Sequence, residues 1–416
     1  MVGEDRLRIL VVHNRYRSAQ PSGEDRVVDR EHRVLAEAGH DVVRFERRSD
    51  DIADMPVLER ALVPLRVPWN PAGRRDLRAR LRLVRPDIVH VHNTFPLLSA
   101  SVLEACADEG VPVVASLHNY QQVCPTGTLH RGGTDCAECV GRSTLPAVRH
   151  GCYRGSRLAS VPVAIARGVT RHVWWSRVDR FLCVSDAQRR ILVDSGMPAD
   201  RLRVKHHFVP DPGIVRSGPG EHVLFLGRMS GPKGLPTLMR AWESLAERGG
   251  LGVPLVLAGG GELEDEARRW ADGRSDVRYL GLQDEAGCRR LTAAAAAVVL
   301  PSTTRETFGL VVVESMAMGV PVVAARLGGL AELVVDGTTG LLHEPGDPDS
   351  LADALHTVVT DTGLNRRLGS AGRRRYEQGF TPATGLAALE TAYREVLENV
   401  SGRVTGTGPP ESPGPR

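Results

Sequence analysis

The stretch Pro301-Ser-Thr-Thr-Arg-Glu306-Thr-Phe-Gly309-Leu-Val-Val-Val-Glu314-Ser-Met-Ala-Met-Gly319-Val-Pro321 decides the fold of this chain. The apolar run Ala293–Leu300 before it predicts a strand, which ends in a Pro-Ser loop. The residues after Gly309 predict a helix that stops at Gly319, with Pro321 just beyond. One carboxylate therefore precedes the helix, and the other lies about a turn inside it.

The start of this helix has the features of a phosphate site. The amides of Gly309 and Leu310 have no partner within the helix, and the helix dipole places positive charge beside them. Glu306 and Glu314 flank the site. Because a carboxylate does not bind phosphate, both are expected to contact something uncharged, and sugar hydroxyls fit that requirement.

A second glycine-rich loop carries two cations. Gly227-Arg228-Met-Ser-Gly-Pro-Lys233-Gly234 follows the apolar strand Val223–Leu226. Arginine offers a planar fork and lysine a compact point charge, a pair suited to a diphosphate. Lys233 and Lys205 are the two lysines among 53 basic residues, which favours a specific role for Lys233. A solvated loop is the alternative interpretation.

Composition narrows the class of protein. A chain of 416 residues is longer than a single hydrophobic core ordinarily organises, which favours two domains. The net charge of +3 and the lack of a basic tract interleaved with aromatics argue against nucleic acid as a partner. Arg6–Val12 is typical of a first strand rather than a signal peptide, and no apolar run approaches the roughly 20 residues that cross a bilayer. We expect a cytoplasmic enzyme, at most peripheral at the inner face of a membrane.

The order of elements predicts two similar α/β halves. Short apolar strands alternate with helix-length segments, the pattern of two doubly wound, Rossmann-like parallel sheets facing each other across a cleft. The expected domains are 1–212 and 213–380, followed by a helix at 381–400 and a disordered tail at 401–416. The predicted strands are Leu7–Val12, Gly39–Phe45, Pro86–His92, Pro112–Leu117 and Arg180–Ser185, then Val223–Leu226, Pro254–Ala258, Val277–Leu280, Ala297–Leu300, Val320–Ala324 and Gly340–His343.

Several spaced motifs together resemble family 4 of the retaining nucleotide-sugar glycosyltransferases, which have the GT-B fold. These motifs are Arg228…Lys233-Gly, Gly259-Gly-Gly-Glu262, Glu306-x-Phe-Gly-Leu…Glu314, Gly319-x-Pro321 and Gly328-Gly329…Glu332, within a resemblance that runs from about Ile9 to Phe380. The resemblance implies transfer of a hexosyl group, with retention, from a nucleoside-diphosphate sugar to a glycan, glycolipid or small-molecule hydroxyl. On family frequency, UDP-sugars are the first expectation and GDP-mannose the second.

The resemblance also implies roles for single residues. Glu314 would hold the ribose hydroxyls, while Arg228 and Lys233 would neutralise the diphosphate as leaving group. Gly23 would lie near the phosphates, although Ser22 stands where the family commonly has a second glycine. The implied catalytic residues are His118, which would reach the donor sugar, Glu306, which would position it with the backbone of Phe308, Gly309 and Leu310, and the cations Arg228 and Lys233.

Catalysis is expected to need no cofactor. A transition state with oxocarbenium character requires leaving-group stabilisation, which two cations and a helix N-terminus supply without a metal. The one Asp-x-Asp triplet, Asp347-Pro-Asp349, precedes a predicted helix, and its first residue is expected to be the N-cap.

Motifs of the first half narrow the resemblance to bacterial transferases of exopolysaccharide, O-antigen or other lipid-linked glycan assembly. His92 and Asn93 end a predicted strand at the cleft and are expected to meet the acceptor. Packing or capping is the alternative role for His92. At the domain junction, His207 stands where these transferases commonly have asparagine.

Four cysteines cluster in one loop-rich segment: Cys124, Cys136, Cys139 and Cys152. The C-x2-C spacing at its centre predicts one structural zinc ion, with His130 and His150 as alternative ligands. Reduced free thiols are the rival interpretation, and disulfides are not expected in a cytoplasmic chain. The arginines of this segment and the apolar stretch Leu158–Ile165 would suit an anionic membrane surface or a lipid diphosphate, but a buried amphipathic helix with a solvated charged face is favoured.

Two other classes of function share some of these features. A non-hydrolysing nucleotide-sugar epimerase has the same fold but acts on the donor alone. A scaffold protein with an inactive transferase domain would be expected to lose its charged donor residues first, and this chain retains Arg228, Lys233, Glu306, Glu314 and His118.

Overall fold

The computed structural model of the chain describes residues 6–18 and 22–404. This part contains two six-stranded parallel sheets and a two-stranded antiparallel ribbon. The strands are β1 (Arg8–Arg15), β2 (Asp41–Arg48), β3 (Ile88–Val91), β4 (Val113–Leu117), β5 (His130–Arg131), β6 (Thr134–Asp135), β7 (Arg180–Cys183), β8 (Leu202–Val204), β9 (His222–Leu226), β10 (Leu255–Ala258), β11 (Val277–Gly281), β12 (Ala295–Leu300), β13 (Val322–Ala325) and β14 (Gly340–His343).

Helices cover both sheets. They are α1 (Gly23–Glu37), α2 (Asp51–Asp54), α3 (Val57–Arg66), α4 (Pro71–Val84), α5 (Ser101–Asp108), α6 (Leu145–Arg149), α7 (Arg157–Arg177), α8 (Asp186–Asp194), α9 (Leu235–Glu247), α10 (Glu264–Ala271), α11 (Glu285–Ala293), α12 (Leu310–Ala317), α13 (Gly328–Leu333), α14 (Pro348–Thr360), α15 (Thr362–Gly379) and α16 (Pro382–Val404).

The first domain has the strand order β2-β1-β3-β4-β7-β8. Apolar side chains of α4, α5 and α7 pack on one face of this sheet, among them Leu77, Leu103 and Trp174. The opposite face packs against α1 and α16. The alternation of strand and helix confirms the predicted doubly wound architecture, and β8 and the β5–β6 ribbon are strands that the sequence analysis did not predict.

The second domain has the strand order β11-β10-β9-β12-β13-β14. All six predicted strands of this half are present. The inner strands β9, β10, β12 and β13 are short apolar runs whose faces are covered by helices, whereas the edge strands β11 and β14 are partly exposed. In both sheets the strand order reverses beside β1 and β9. In such folds, ligands bind outside the carboxyl ends of the strands at this point.

The junction between the two sheets lies within residues 205–221. The first sheet ends at Val204 and the second begins at His222, so the predicted boundary at 212/213 falls between them. The last helix, α16, runs on to Val404 rather than ending at residue 400. The predicted tail therefore begins inside a helix, and its residues 405–416 lie outside the described part of the chain.

The last helix returns to the first domain. Leu389 and Val396 of α16 pack in the same apolar cluster as Ile9 and Ile88. On the same helix, the Tyr393 hydroxyl lies 2.7 Å from Nδ1 of His90. The chain thus crosses between the domains twice.

The helix of the deciding stretch has the predicted ends. Gly309, with φ of +117°, is the N-cap of α12, and Gly319, with φ of +69°, follows its last turn. Asp347 caps α14 by accepting hydrogen bonds from the amides of Asp349 and Ser350, as expected. Among the described helices, none combines the length and the apolar character that crossing a membrane requires.

Candidate active site

The N-termini of two helices lie beside each other at the cleft between the domains. α12 begins after Gly309, and α1 begins at Gly23 after its N-cap Ser22. A methyl group added to the Cα atom of Gly23 would lie 3.3 Å from Cδ1 of Leu310. The amides of Gly23, Gly309 and Leu310 donate to no acceptor in the described part of the chain. Both helix dipoles therefore favour an anion here.

Cations stand close to this point. Arg228, on the loop after β9, is exposed and forms no hydrogen bond or ion pair with a described residue. The Lys233 ammonium donates to Oε1 of Glu306, which also accepts from Oγ of Ser302 at 2.7 Å. Burial raises the pKa of Glu306, but Lys233, Ser302 and Arg228 together outweigh burial and hold that pKa below its ordinary value. The structure thus brings together Arg228, Lys233 and Glu306, as the resemblance implied.

A glycine allows the two loops to touch. Gly234 has φ of +75°, and a Cβ atom there would lie 1.8 Å from the carbonyl oxygen of Pro301. Beside it, the amide of Thr303 donates to the carbonyl oxygen of Pro232 at 3.0 Å. This contact holds Lys233 next to Glu306.

Glu314 connects the two domains. It lies in the second turn of α12, where its carboxylate accepts a hydrogen bond from Arg30 at 3.1 Å and lies 3.7 Å from the guanidinium of Arg26. Both arginines belong to α1. This pair was not predicted from the sequence, although the spacing of four residues places both arginines on one helix face. A ribose bound by Glu314 would share or replace these contacts, and that role stays a prediction.

His118 belongs to a row of four imidazole rings. The ring centroids lie 4.1 Å apart for His90 and His92, 5.2 Å for His92 and His118, and 5.2 Å for His118 and His207. Burial is the main reason that the pKa of each ring lies below its ordinary value. These rings are therefore neutral near pH 7, and each has one N–H donor and one acceptor nitrogen.

Neighbouring groups favour one placement of the protons. His92 Nδ1 and His118 Nε2 lie 2.9 Å apart, and His92 Nε2 lies 3.9 Å from Oε2 of Glu31. That carboxylate favours a proton on Nε2 of His92, so Nδ1 of His92 accepts the N–H of His118. The other nitrogen of His118, Nδ1, is buried without a hydrogen-bond partner in the described part of the chain. It is then available as an acceptor.

The buried network beneath this row does not fit a metal ion. Within the described residues, Glu31, His90 and His92 are the one group whose possible ligand atoms lie within 4.8 Å of one another. However, both nitrogens of His90 already meet hydroxyl groups, and the ammonium of Lys205 donates to Glu31. A metal cation at this position would be repelled by the ammonium. The Lys205–Glu31 pair is a structural contact that the sequence analysis did not predict.

The residues expected to meet the acceptor lie below the surface. The Asn93 side-chain amide donates to the carbonyl oxygen of Asn14 at 2.9 Å, and its Oδ1 accepts from the amide of Phe95 at 2.9 Å. His92 bonds to His118. These contacts fit the alternative role of packing and capping, and the acceptor contact stays a prediction.

Phe308 is buried beside His206, His207 and Phe380.

Glu24 is an acid at this site that the sequence analysis did not single out. Its Oε2 accepts from the Tyr16 hydroxyl at 3.1 Å, and its Oε1 is buried without a hydrogen-bond partner among the described residues. Burial raises the pKa of Glu24 to about 8, and the charge of Asp25 acts in the same direction. Glu24 therefore holds its proton near neutral pH and adds no negative charge beside the helix N-termini.

Direct contacts hold the domains together around the cleft. The Thr307 hydroxyl donates to the carbonyl oxygen of His118 at 2.8 Å, and the Ser185 hydroxyl donates to the carbonyl oxygen of Thr307 at 2.6 Å. The Glu332 carboxylate accepts from the amides of Asp186 and Ala187, at the N-terminus of α8, at 3.0 and 2.9 Å. The loop that holds Glu306 therefore touches the first domain at His118.

The four cysteines predicted as metal ligands line one small cavity, together with His130 and His150. This cavity lies in the first domain, between β4 and α7. The cysteine segment reaches the second domain, since Arg305 donates to Asp135 at 2.5 Å and Thr304 to the carbonyl oxygen of Thr128 at 3.1 Å.

Comparison with known families covers both halves of the chain. Residues 21–211 match the family described as Glycosyltransferase Family 4. Residues 220–361 match the family described as Glycosyl transferases group 1. The two matches meet at the junction between the sheets.

Characterised relatives are similar over most of their length. The chain is 30% identical over 340 residues to the phosphatidyl-myo-inositol mannosyltransferase of Mycobacterium tuberculosis strain H37Rv, covering 78% of this chain and 79% of that protein. It is 29% identical over 420 residues to the glycogen synthase of the same strain, covering 93% of this chain and 94% of that protein.

Solved structures share the fold. A crystal structure of Anabaena Alr3699/HepE in complex with UDP and glucose has a TM-score of 0.66 at 20% identity, covering 94% of this chain and 100% of that chain. The structure of the sucrose-phosphate synthase of Thermosynechococcus elongatus has a TM-score of 0.69 at 19% identity, covering 94% of this chain and 100% of that chain.

Proposed function

The chain belongs to glycosyltransferase family 4 and has the GT-B fold, and from this premise we propose that it transfers a hexosyl group from a nucleoside-diphosphate sugar to an acceptor hydroxyl with retention of anomeric configuration. The observation that carries the proposal is the pair of helix N-termini at Gly23 and Leu310, with Arg228 and Lys233 close by. Open amides and two cations form a site for a diphosphate.

The leaving group is the first requirement of the reaction. The bond between the anomeric carbon and the diphosphate oxygen breaks, and the nucleoside diphosphate leaves with the electron pair. Arg228, which has no protein partner among the described residues, is free to meet that developing charge. Lys233 shares its charge with Glu306 and would turn toward the phosphates as the donor binds. Oriented cations and amides of this kind stabilise the transition state without further reorganisation.

The transferred sugar is positioned from both domains. Glu306 and the amides of Gly309 and Leu310 approach it from the second domain. His118 approaches from the first, with Nδ1 accepting a hydrogen bond from a sugar hydroxyl. The Thr307 hydroxyl bonded to the carbonyl oxygen of His118 fixes the two sides relative to each other. The acceptor oxygen then bonds to the anomeric carbon, and its proton passes to the departing phosphate oxygen.

A UDP-sugar is our first choice of donor and GDP-mannose the second. The structural neighbour HepE was solved with UDP and glucose, and this supports a uridine nucleotide. The relatives named as mannosyltransferases support the second choice. For the acceptor, we propose a hydroxyl of a glycan, a lipid-linked glycan or a small molecule.

Donor turnover with and without acceptor tests the proposal. Purified protein is incubated with UDP-glucose, UDP-galactose, UDP-N-acetylglucosamine and GDP-mannose, each with and without a bacterial lipid and glycan extract. Nucleoside diphosphate release that depends on the extract, with a product whose anomeric configuration by NMR matches the donor, is the expected result. An epimerised donor without transfer, an inverted product, or no binding of any donor by calorimetry would each contradict it.

A further inference from the structure

Four cysteines from separate turns of one segment converge on one cavity. Cys124, Cys136, Cys139 and Cys152 line a cavity of about 20 Å³, the size of a single ion or water molecule. Backbone bonds draw them together, since the amide of Cys136 donates to the carbonyl oxygen of Leu129 at 2.8 Å, across the ribbon. The amide of Cys152 likewise donates to Ala147 at 2.9 Å, after α6.

The segment around the cavity has little regular structure. Between β4 and α7 it contains two strands of two residues and one helix of five residues. Such a segment orders itself poorly through its own hydrophobic burial. All four cysteines are half-buried, and all four line the same cavity. A ligand shared by the sulfurs would explain the order.

Two half-buried arginines lie near these sulfurs. Arg131 lines the cavity, and its NH1 group is buried without a hydrogen-bond partner in the described part of the chain. Arg167 lies near Cys124, and its NH1 group donates to Oε1 of Gln122 at 3.2 Å. The other terminal nitrogen of Arg131 pairs with the Glu138 carboxylate, which lines the same cavity, but neither guanidinium group is stabilised by neutral thiols. Guanidinium groups are stabilised by a centre with net negative charge, which four thiolates around one divalent ion would have.

We propose that Cys124, Cys136, Cys139 and Cys152 bind one structural Zn²⁺ ion as thiolates. Each thiol releases its proton to solvent on binding, and Arg131 and Arg167 balance the excess negative charge. A tetrahedral site with Zn–S bonds of about 2.3 Å places the sulfurs about 3.8 Å apart. In the described structure, no three of these sulfurs lie within 4.8 Å of one another. Binding therefore requires rotation of cysteine side chains toward the cavity.

The zinc site would support the donor loop of the second domain. The β5–β6 ribbon lies between Cys124 and Cys136 in sequence, and its Asp135 accepts a hydrogen bond from Arg305. Arg305 directly precedes Glu306. An ion that fixes the ribbon thus fixes a contact next to the sugar-positioning carboxylate. The ion itself would take no part in the reaction.

Metal content tests the proposal without reference to activity. Protein purified without chelators is analysed by inductively coupled plasma mass spectrometry, and about one zinc per chain is expected. Replacement by Co²⁺ is expected to give the absorption bands of tetrahedral cobalt–thiolate coordination. Zinc-free protein in which native thiol titration detects the four cysteines as free, or disulfides among them, would overturn it.

Variants identify the ligands. C136S and C139S are expected to lower the zinc content at least tenfold, whereas C288S, which changes a half-buried cysteine on α11, is expected to retain it. H130A and H150A are also expected to retain zinc, and its loss in either would overturn the four-cysteine assignment. Should C136S or C139S fail to fold, the wild-type holoprotein decides the question. Its peptides within 124–152 should gain hydrogen exchange when a chelator removes the metal, and readded Zn²⁺ should restore protection, while β9 to β14 stay protected throughout. Unchanged exchange within 124–152 would count against the site.

Discussion

Each of the two lysines forms an ion pair with a glutamate, Lys205 with Glu31 and Lys233 with Glu306. The scarcity of lysine indicated that Lys233 has a specific role, and the motif around it indicated the partner region. The Lys205–Glu31 pair could not be predicted, because 174 residues separate its members and nothing in the sequence around Lys205 points to Glu31. The same holds for Glu24, since an acid in the first turn of a helix is ordinary and only its burial sets it apart.

The assignment of Glu314 to the ribose can be separated from its contact with the first domain. Glu314→Ala should weaken binding of UDP or GDP by about 10- to 100-fold, because it removes charged hydrogen bonds to the ribose. Arg30→Gln breaks the ion pair between the domains but retains the carboxylate, and it should change nucleotide affinity less than about threefold. Isothermal titration calorimetry of both variants measures this. Equal losses would show that the domain contact, rather than a ribose contact, sets the affinity.

The proton on Glu24 should make stability depend on pH. The pKa of Glu24 is raised from 4.5 in an ordinary side chain to about 8 in the fold. Between these values the folded chain holds a proton that the unfolded chain has lost, so the contribution of this group to stability falls as the pH rises through that window. The wild type should therefore lose more thermal stability than Glu24→Gln between pH 4.5 and about pH 8. Parallel melting profiles of the two proteins over this range would contradict the assignment.

The elements of the second half were predictable because they follow local rules. The inner strands are apolar runs between turn residues, and α12 is bounded by Gly309 and Gly319. The ribbon β5–β6 and the strand β8 were missed because they are two or three residues long and lack an apolar run. The contact between α1 and α12 could also not be predicted, because nothing in the sequence of either helix indicates which element it packs against.

The conformation of Gly309 should be required for the start of α12. Its φ of +117° is strained for other residues, and a Cβ atom there would lie 2.7 Å from Cδ2 of Leu330. Gly309→Ala should lower the free energy of unfolding by about 1–3 kcal/mol and weaken nucleotide binding, because the helix N-terminus shifts. Gly346→Ala is the control, since Gly346 also has positive φ, at +77°, but a Cβ atom there meets nothing within 4 Å. Denaturant melts and calorimetry compare the two, and equal nucleotide affinity in both variants would contradict the prediction.

At the scale of the whole molecule, a few polar contacts set how the domains meet. Glu332 accepts hydrogen bonds from two amides of the first domain, and one of its oxygens lies 2.9 Å from Nε2 of His206 at the junction. The sequence predicted both domains and the linker between them, but not these contacts. They depend on the three-dimensional arrangement of residues more than a hundred positions apart.

Loss of the Glu332 charge should weaken the contact between the domains. Burial raises the pKa of Glu332, but His206 and the amides of Ala187 and Asp186 outweigh burial and lower it. The stabilisation is therefore complete above the ordinary carboxyl pKa and is lost as the pH falls through the lower pKa of the fold. Glu332→Gln should reduce stability by about 1–3 kcal/mol and increase the radius of gyration in small-angle scattering.

Glu344→Gln is the matched control for this prediction. Glu344 bonds to Arg326 on the surface of the second domain, and its side chain is 62% exposed. Its loss should leave both the stability and the radius of gyration unchanged. If Glu332→Gln behaves in the same way, the contacts of Glu332 do not set the domain arrangement.

The return of α16 to the first sheet determines what a probe on that helix reports. A fluorophore attached to an exposed position of α16 would move with the first domain, although the helix follows the second domain in sequence. A second dye on α14 would then give an energy-transfer pair that measures cleft opening directly. Cutting the chain at the linker would, for the same reason, separate the first sheet from α16, which shares one face of that sheet with α1, so the two lobes are not separable by simple truncation.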